Sequence, residues 1–239
     1  MKGYHGRFLS VDLNTRTTKD MPLAEDVLRQ FIGGATLAAK LLYDHVSKGM
    51  NPLGPESPLI FATGPFTGTS IPMVSRYAVC GVSPLTGYWG EATSGGAFPF
   101  RLKQSGYDGI FITGKADKPV YLYLENGKAE IRDAVDLWGK DIYEAQEKLK
   151  TTLNQPGLGI ACIGPAGERM ALTAGIMNEA GRTAGRCGMG AIMGSKNLKA
   201  IVATGKMRAE MAQPEKMKEL TKEAQLAVRQ NLVSPAFRE

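Results

Sequence analysis

The hydrophobic and polar positions near the start of the chain follow first the period of a strand and then that of a helix. The segment Arg7–Leu13 alternates between apolar and polar residues before a turn, which predicts a strand entering a hairpin. Over Ala24–Val46 apolar residues recur at helical spacing, but Gly33-Gly34 interrupts them. Because glycine weakens a helix interior, we expect two helices here rather than one.

The second half of the chain carries three further patterned segments. Pro119–Glu125 and Lys128–Arg132 flank Asn126-Gly127, the dipeptide that favours a type I′ hairpin turn. Apolar residues fall on one face of a helix predicted over 140–153. Residues 215–231 predict a polar helix whose apolar stripe is too thin for a core face. We therefore expect this helix to dock on another surface or to act as a linker.

The chain contains a weak internal repeat. Leu59–Gly68 is similar to Gly159–Gly167, and Gly95–Lys115 is similar to Gly188–Lys206. Each half has a strand, a Gly-Pro turn, a Gly-rich loop, a short helix, a strand and Gly-Lys, although chance similarity between turn sequences is the alternative. We predict an α+β, internally duplicated domain with two related β-sheet units about a pseudo-twofold axis. Such units would present two similar loops to one site for a ligand with two anionic arms, or for two copies of one ligand.

Composition excludes several classes of protein. No apolar run approaches the ~20 residues of a membrane span, and the start lacks a signal-peptide core. Three cysteines, with no CxxC spacing, and two histidines cannot form a disulfide framework, a Cys-rich zinc site or a four-thiolate iron–sulfur site. We therefore expect a reducing cytoplasm. The net charge of +6 suits an anionic ligand about as readily as nucleic acid. Nucleic-acid binding is the weaker hypothesis, because the positive residues are not concentrated in a basic patch with stacking aromatics.

Each half has a loop that combines glycine with arginine, at 75–97 and at 181–190. Glycine lets backbone N–H groups approach an anion, and a helix beginning at Ala97 or Ala191 would point its positive end at the same place. Arginine adds planar, bidentate recognition of phosphate. The pattern predicts phosphate binding, with turns carrying solvated arginines as the alternative. The arginines concerned are Arg76, Arg182 and Arg186.

Other chemistries are not indicated. Met193–Lys196 is similar to the end of a P-loop, but the GxxxxGK[ST] order is absent. No βαβ unit with a following acidic residue frames the glycines of the second loop, which argues against a dinucleotide site. We expect Cys162 in the core and only Cys187 near a ligand. No Ser-His-Asp set or pair of carboxylates stands out, so the pattern predicts binding rather than catalysis.

Sequence motifs in the same order and spacing occur in a known family. The longest is Ala184–Ile201. The chain resembles the N-terminal domain of the tungsten-containing aldehyde:ferredoxin oxidoreductase family over nearly its whole length up to Gly205. The other matching segments are Gly6-Arg7, Val11–Leu13, Ala62–Thr69, Ser83–Gly87, Ser94–Gly96, Gly106–Asp108, Gly114–Ala116, Trp138–Lys140 and Ile163–Glu168.

The resemblance implies a saddle-shaped domain that holds two pterin dithiolenes, whose four sulfurs bind one tungsten or molybdenum. Arg76 would lie between the pterin and an iron–sulfur cluster, and the loop at Thr93 and Gly95 would cradle one pterin phosphate. The segment Arg182–Arg186 would cradle the other. Magnesium would bridge the phosphates through the main-chain carbonyls of Thr93 and Thr183. The implied cofactor-binding residues are Arg76, Thr93, Gly95, Arg182, Thr183, Gly185 and Arg186.

Three positions depart from the family pattern. Family members often carry Asn at Thr93 and Ala at Thr183, changes that leave a carbonyl ligand in place. They often carry Gly at Cys187, where a side chain could narrow the pocket or place a thiol near the cofactor.

The resemblance also implies an activity that needs further domains or a partner subunit besides this chain. Residues 1–206 would form the pterin-binding domain of an enzyme of anaerobic metabolism that oxidises aldehydes to carboxylates. Electrons would pass through a 4Fe-4S cluster to ferredoxin. Residues 207–239 would lead to downstream domains, or the chain would be one subunit of a split enzyme. We expect no catalytic residue here, no membrane or nucleic-acid partner, and leave a homodimer open. The alternatives are an aromatic thioester reductase of the same family and a non-catalytic phosphate-binding or subunit-assembly module.

Overall fold

The computed structural model describes residues 1–179 and 181–231 and contains two mixed β-sheets of six strands each. The first sheet has the strand order β2-β1-β6-β3-β4-β5. The helices in this half of the chain are α1 (Glu25–Phe31), α2 (Gly34–Tyr43) and α3 (Ala97–Gln104). Its strands are β1 (Arg7–Asp12), β2 (Thr17–Pro22), β3 (Leu59–Thr63), β4 (Arg76–Val82), β5 (Trp89–Gly95) and β6 (Gly109–Thr113).

The second sheet has the strand order β11-β10-β9-β12-β7-β8. The helices in this half of the chain are α4 (Ile142–Leu153), α5 (Pro165–Glu168) and α6 (Met189–Ser195), with a 3₁₀ turn at Val135–Leu137. After the sheet comes α7 (Pro214–Gln230). The strands are β7 (Val120–Glu125), β8 (Lys128–Asp133), β9 (Gly159–Cys162), β10 (Ile176–Asn178), β11 (Arg182–Ala184) and β12 (Leu198–Thr204).

The two sheets have the same topology. Strands β1 to β6 occupy the same places in the first sheet as β7 to β12 in the second. In each sheet one pair is parallel, β1 with β6 and β7 with β12, and the other pairs are antiparallel. This repeat of topology is what the sequence duplication predicts. The mixed α+β class is confirmed, whereas the twofold axis stays a prediction.

The main hydrophobic core lies between the sheets. Along β3, Leu59 and Phe61 belong to this core, whereas Ile60 and Ala62 face the cluster under α1 and α2, as expected from strand alternation. The core also takes in Phe98 of α3 and other residues of α3 and α6, and each of these helices contacts both sheets. Helix α4 covers the outer face of the second sheet. The two halves therefore share one interior.

Local predictions explain where several elements begin and end. The break between α1 and α2 is confirmed, and a β-carbon on Gly33 would lie 2.8 Å from the carbonyl oxygen of Thr63. Asn126 and Gly127 have φ angles of 47° and 81°, as a type I′ turn requires. Helix α4 begins at Ile142 because the side chain of Asp141 caps it.

Helix α7 contributes to a cavity rather than to the core. Its side chains Met217 and Leu220 line a cavity of about 570 Å³, together with the N-terminal residues and the loop that follows β3. Its docking role stays a prediction, and residues 232–239 lie outside the described part of the chain. Over the ranges that the structure describes, every helix is too short or too polar to cross a membrane.

Candidate functional site

The two glycine–arginine loops meet where the edges of the two sheets pack together. Strand β5 is the edge of the first sheet and β11 the edge of the second, and they are in contact. A β-carbon built on Gly95, at the end of β5, would lie 3.9 Å from Nη1 of Arg182 and 3.9 Å from Cγ of Arg76. The structure thus brings together three residues that the sequence placed in one site.

Arg76 begins β4 and lies opposite Gly95 in the β4–β5 pair. Its side chain is exposed, and Nη2 donates a hydrogen bond to Oγ1 of Thr93 at 3.0 Å. Both residues line a cavity of about 350 Å³, with Glu91 and the Gly33–Ala35 segment on other walls. Arg76 makes no ion pair with any residue in the described part of the chain. Its guanidinium is therefore available to an anion in this cavity.

The second loop carries two arginines with no protein partner. Arg182 and Arg186 are exposed, and neither guanidinium makes a hydrogen bond or an ion pair with a residue of the ranges 1–179 and 181–231. Thr183 lies opposite Met177 in the β10–β11 pair. Gly185 follows β11 directly, and both it and Thr183 are exposed. Two guanidinium groups beside exposed main chain suit a phosphate better than a neutral ligand.

One buried side chain that sequence reasoning missed joins the two loops. Asn178, at the end of β10, is 0% exposed. Its Oδ1 accepts hydrogen bonds from Oγ of Ser94 at 2.8 Å and from the hydroxyl of Tyr77 at 3.3 Å. Its Nδ2 donates to the carbonyl of Gly95 at 2.7 Å. Burial, and secondarily the Glu179 carboxylate, raises the pKa of Tyr77, which keeps its hydroxyl a donor.

The predicted role of the helix ends needs correction. Helix α3 begins at Ala97 as expected, but the carboxylate of Glu179 accepts a hydrogen bond from its Phe98 N–H at 2.7 Å. A protein anion therefore already occupies that end. Helix α6 begins at Met189 rather than Ala191, and the N–H of Gly190 donates to the carbonyl of Ala174 at 2.9 Å. The groups of this site that could still donate to an anion are accordingly the arginine side chains and the loop backbone.

Cys80 and Cys162 lie in buried strands, as their sequence surroundings predict, whereas proximity of Cys187 to a ligand stays a prediction. Cys162 is fully buried in β9, and burial raises the pKa of its thiol to about 12. Cys80 is a buried residue of β4. Cys187 is half-buried in the second loop, with its Sγ 3.4 Å from the carbonyl of Glu91, to which it donates. Its thiol therefore anchors the loop on β5.

Side chains that commonly bind metals do not cluster. The described residues contain no group of three or more His, Cys, Asp or Glu placed to hold a metal ion. Thr93 and Thr183 lie on β5 and β11, the two edge strands in contact. A magnesium ion bound through their main-chain carbonyls stays a prediction.

Comparison with known proteins identifies relatives of this chain. The family described as "Aldehyde ferredoxin oxidoreductase, N-terminal domain" matches residues 8–205. The tungsten-containing aldehyde ferredoxin oxidoreductase of Pyrococcus abyssi is 46% identical over 223 residues, which are 93% of this chain and 37% of the relative. An aliphatic sulfonate oxidoreductase, WOR-like subunit, of Pyrococcus furiosus is 38% identical over 242 residues, covering 93% of this chain and 38% of that protein.

A solved structure shares the fold. The active site complex BamBC of benzoyl coenzyme A reductase, in complex with 1,5 dienoyl-CoA, superposes with a TM-score of 0.92 and 37% sequence identity. The match covers 95% of this chain and 35% of that one. The chain spans little more than a third of the length of these relatives. Sequence and fold agree, and the chain belongs to the aldehyde ferredoxin oxidoreductase family, in which it corresponds to the N-terminal domain.

Proposed function

We propose that this chain is the cofactor-binding domain of a tungsten or molybdenum bis-pterin oxidoreductase that oxidises aldehydes to carboxylates. The observation that carries the proposal is the meeting of Gly95 from one half with unpaired Arg182 from the other. The names of the relatives supply tungsten and the aldehyde substrate. Electrons would leave through a 4Fe-4S cluster to ferredoxin.

The residues present fit such a cofactor. Three guanidinium groups without carboxylate partners, on Arg76, Arg182 and Arg186, provide the donors that two phosphates need. Thr93 and Gly95 would hold one phosphate, and the Arg182–Arg186 segment the other, with magnesium on the carbonyls of Thr93 and Thr183. A pseudo-twofold saddle would present both loops to the paired pterins. When bound, the cofactor supplies the redox chemistry at its metal. This chain binds and orients it.

Other parts of the enzyme would complete the activity. We assign residues 1–206 to the pterin-binding domain and 207–239 to the segment that leads to further domains or to a partner subunit. These would carry the cluster and the reacting residues, because the residues that meet at the site in this chain are suited to holding phosphate. We place the protein in the cytoplasm, because Cys80 and Cys162 are buried free thiols.

A second candidate function is reduction of an aromatic thioester. The superposition with the benzoyl coenzyme A reductase complex favours it, because the domain is used there with a different substrate. The two functions would share the cofactor loops and would differ in residues outside this chain.

The test is co-expression of this chain with the segment that its relatives carry beyond it. We expect the purified protein to contain tungsten or molybdenum and pterin. The double variant R182A/R186A should contain at least about tenfold less metal and pterin per protein than the unmodified protein, because it loses charge-assisted hydrogen bonds. The matched control R16A/R229A removes the same charge from exposed sites, Arg16 lying in the turn between β1 and β2. Absence of both metal and pterin from the unmodified protein would overturn the proposal. Assays with aldehydes and with aromatic thioesters then separate the two candidate functions.

A further inference from the structure

Asn178 is a buried point at which the second half of the chain holds the first loop. It lies on β10, yet all three of its hydrogen bonds to the first half go to β4 and β5, at Tyr77, Ser94 and Gly95. Tyr77 and Ser94 are themselves 2% and 3% exposed. Unpaired polar groups are costly in such surroundings, so these bonds fix the position of the side chain firmly.

The same residue also sets the place of Arg182. In the β10–β11 pair Asn178 lies directly opposite Arg182. The main chain of Asn178 thus positions β11, while its side chain positions Gly95. The guanidinium of Arg182 lies close to Gly95, since its Nη1 is 3.9 Å from the position that a β-carbon on Gly95 would take. Asn178 is therefore bonded on both sides of the gap between the arginine of one loop and the backbone of the other.

We propose that Asn178 is a positioning residue that sets the distance between the two phosphate-binding loops. The inference rests on the proposed function of those loops. A ligand with two phosphate groups gains affinity when both loops bind it together, because the second contact is intramolecular. That gain depends on the separation of the loops, whereas binding of a single phosphate does not. Asn178 therefore acts on two-phosphate ligands selectively.

The test compares inorganic phosphate with inorganic pyrophosphate on the full chain, by calorimetry at one fixed ionic strength. The quantity of interest is the ratio of the Kd for phosphate to the Kd for pyrophosphate. In the unmodified protein we expect this ratio to be at least about ten, because pyrophosphate binds more tightly. In N178S this ratio should fall at least about fivefold, while the Kd for phosphate changes less than about twofold. The milder variant S94A removes the 2.8 Å bond to Asn178 and should lower the ratio in the same direction.

A matched control separates positioning from general loss of stability. Asn197→Ser also removes an asparagine side chain bonded to a main-chain carbonyl, that of Ala116 at 2.8 Å. This control should keep the unmodified ratio. Circular dichroism checks folding, and S94A decides the question should N178S not fold. An unmodified protein that binds neither anion would overturn the proposed function and this inference together. Retention of the full ratio in S94A and in folded N178S would overturn the inference alone.

Discussion

Lys196 shows how one residue can look like a phosphate ligand in the sequence and act as a structural group in the fold. It follows Met193-Gly194-Ser195, the stretch similar to the end of a P-loop. The side chain is fully buried, and Nζ donates to the carbonyls of Pro55 at 3.2 Å and Gly114 at 3.4 Å. It therefore joins two loops and is closed to a ligand.

Burial makes stability depend on the titration of Lys196. It lowers the pKa of the ammonium to about 8 from the usual 10.5, although the nearby Glu56 acts in the opposite direction. Between these values the unfolded chain binds more protons than the folded one, so the free energy of unfolding should rise with pH. We expect up to about 3 kcal/mol from this group between pH 8 and 10.5.

Urea unfolding of the unmodified protein and of K196M across that range measures the effect. Other lysines and tyrosines titrate in both proteins, so the quantity of interest is the difference between the two curves. Equal pH slopes would show that Lys196 is not the group responsible.

At the scale of elements, close approach of α5 and α6 requires glycine. A β-carbon on Gly194 of α6 would overlap the carbonyl oxygen of Gly167 in α5. Helix α6 carries the second loop at its N-terminal end and lies in the core between the sheets. The packing of these two short helices therefore supports the loop that holds Arg186.

Gly194→Ala should destabilise the fold by at least about 2 kcal/mol, because the new methyl group meets backbone that cannot move aside. Thermal and urea unfolding measure the loss. Gly64→Ala adds the same methyl group with no atom closer than 4.0 Å, and should cost less than about 1 kcal/mol. Similar losses in both variants would contradict the packing argument.

Patterns local in sequence predict much of the fold. The helix break at Gly33-Gly34, the turn at Asn126-Gly127 and the repeated strand-to-Gly-Pro segments follow from backbone preferences and periodicity, which act between near neighbours. The start of α6 was predicted two residues late, because Gly188 adopts a left-handed φ of 70° directly before it. Such conformations depend on the tertiary surroundings as well as on residue type.

The site was predictable only in part. Arg76, Arg182 and Arg186 stand out through their glycine neighbours. The bond from Asn178 to Gly95 spans 83 positions, and no pattern of asparagine spacing indicates it. The capping of α3 by Glu179 depends on the same long-range pairing of the two halves. Contacts of this kind arise from the packing of whole sheets.

At the scale of the whole molecule, the two sheets depend on one another. Inner-face residues of both sheets form a single buried cluster with α3 and α6. A half that unfolded alone would leave the inner face of the other exposed to water. Such exposure costs about 25 cal/mol of free energy per Å² of apolar surface. The halves should therefore unfold together.

The two tryptophans provide a test, since Trp89 lies in the first half and Trp138 in the second. The variants W138F and W89F each leave one fluorescent reporter. In urea, the fluorescence midpoint of each variant should equal its own midpoint from circular dichroism, as a two-state transition requires. Within either variant, fluorescence and circular dichroism midpoints separated by more than about 0.5 M would show that the halves unfold independently.

The contact between β5 and β11 has a consequence for the origin of the domain. Each of these strands would be an exposed edge strand if its sheet stood alone, and exposed edge strands tend to pair with another chain. Two identical copies of a single ancestral unit, joined at that edge strand, would have been protected from pairing with further chains in the same way. Their union would also have set two copies of one glycine loop side by side before the genes fused. Protection against aggregation and a place for a paired ligand would then have arisen in a single step.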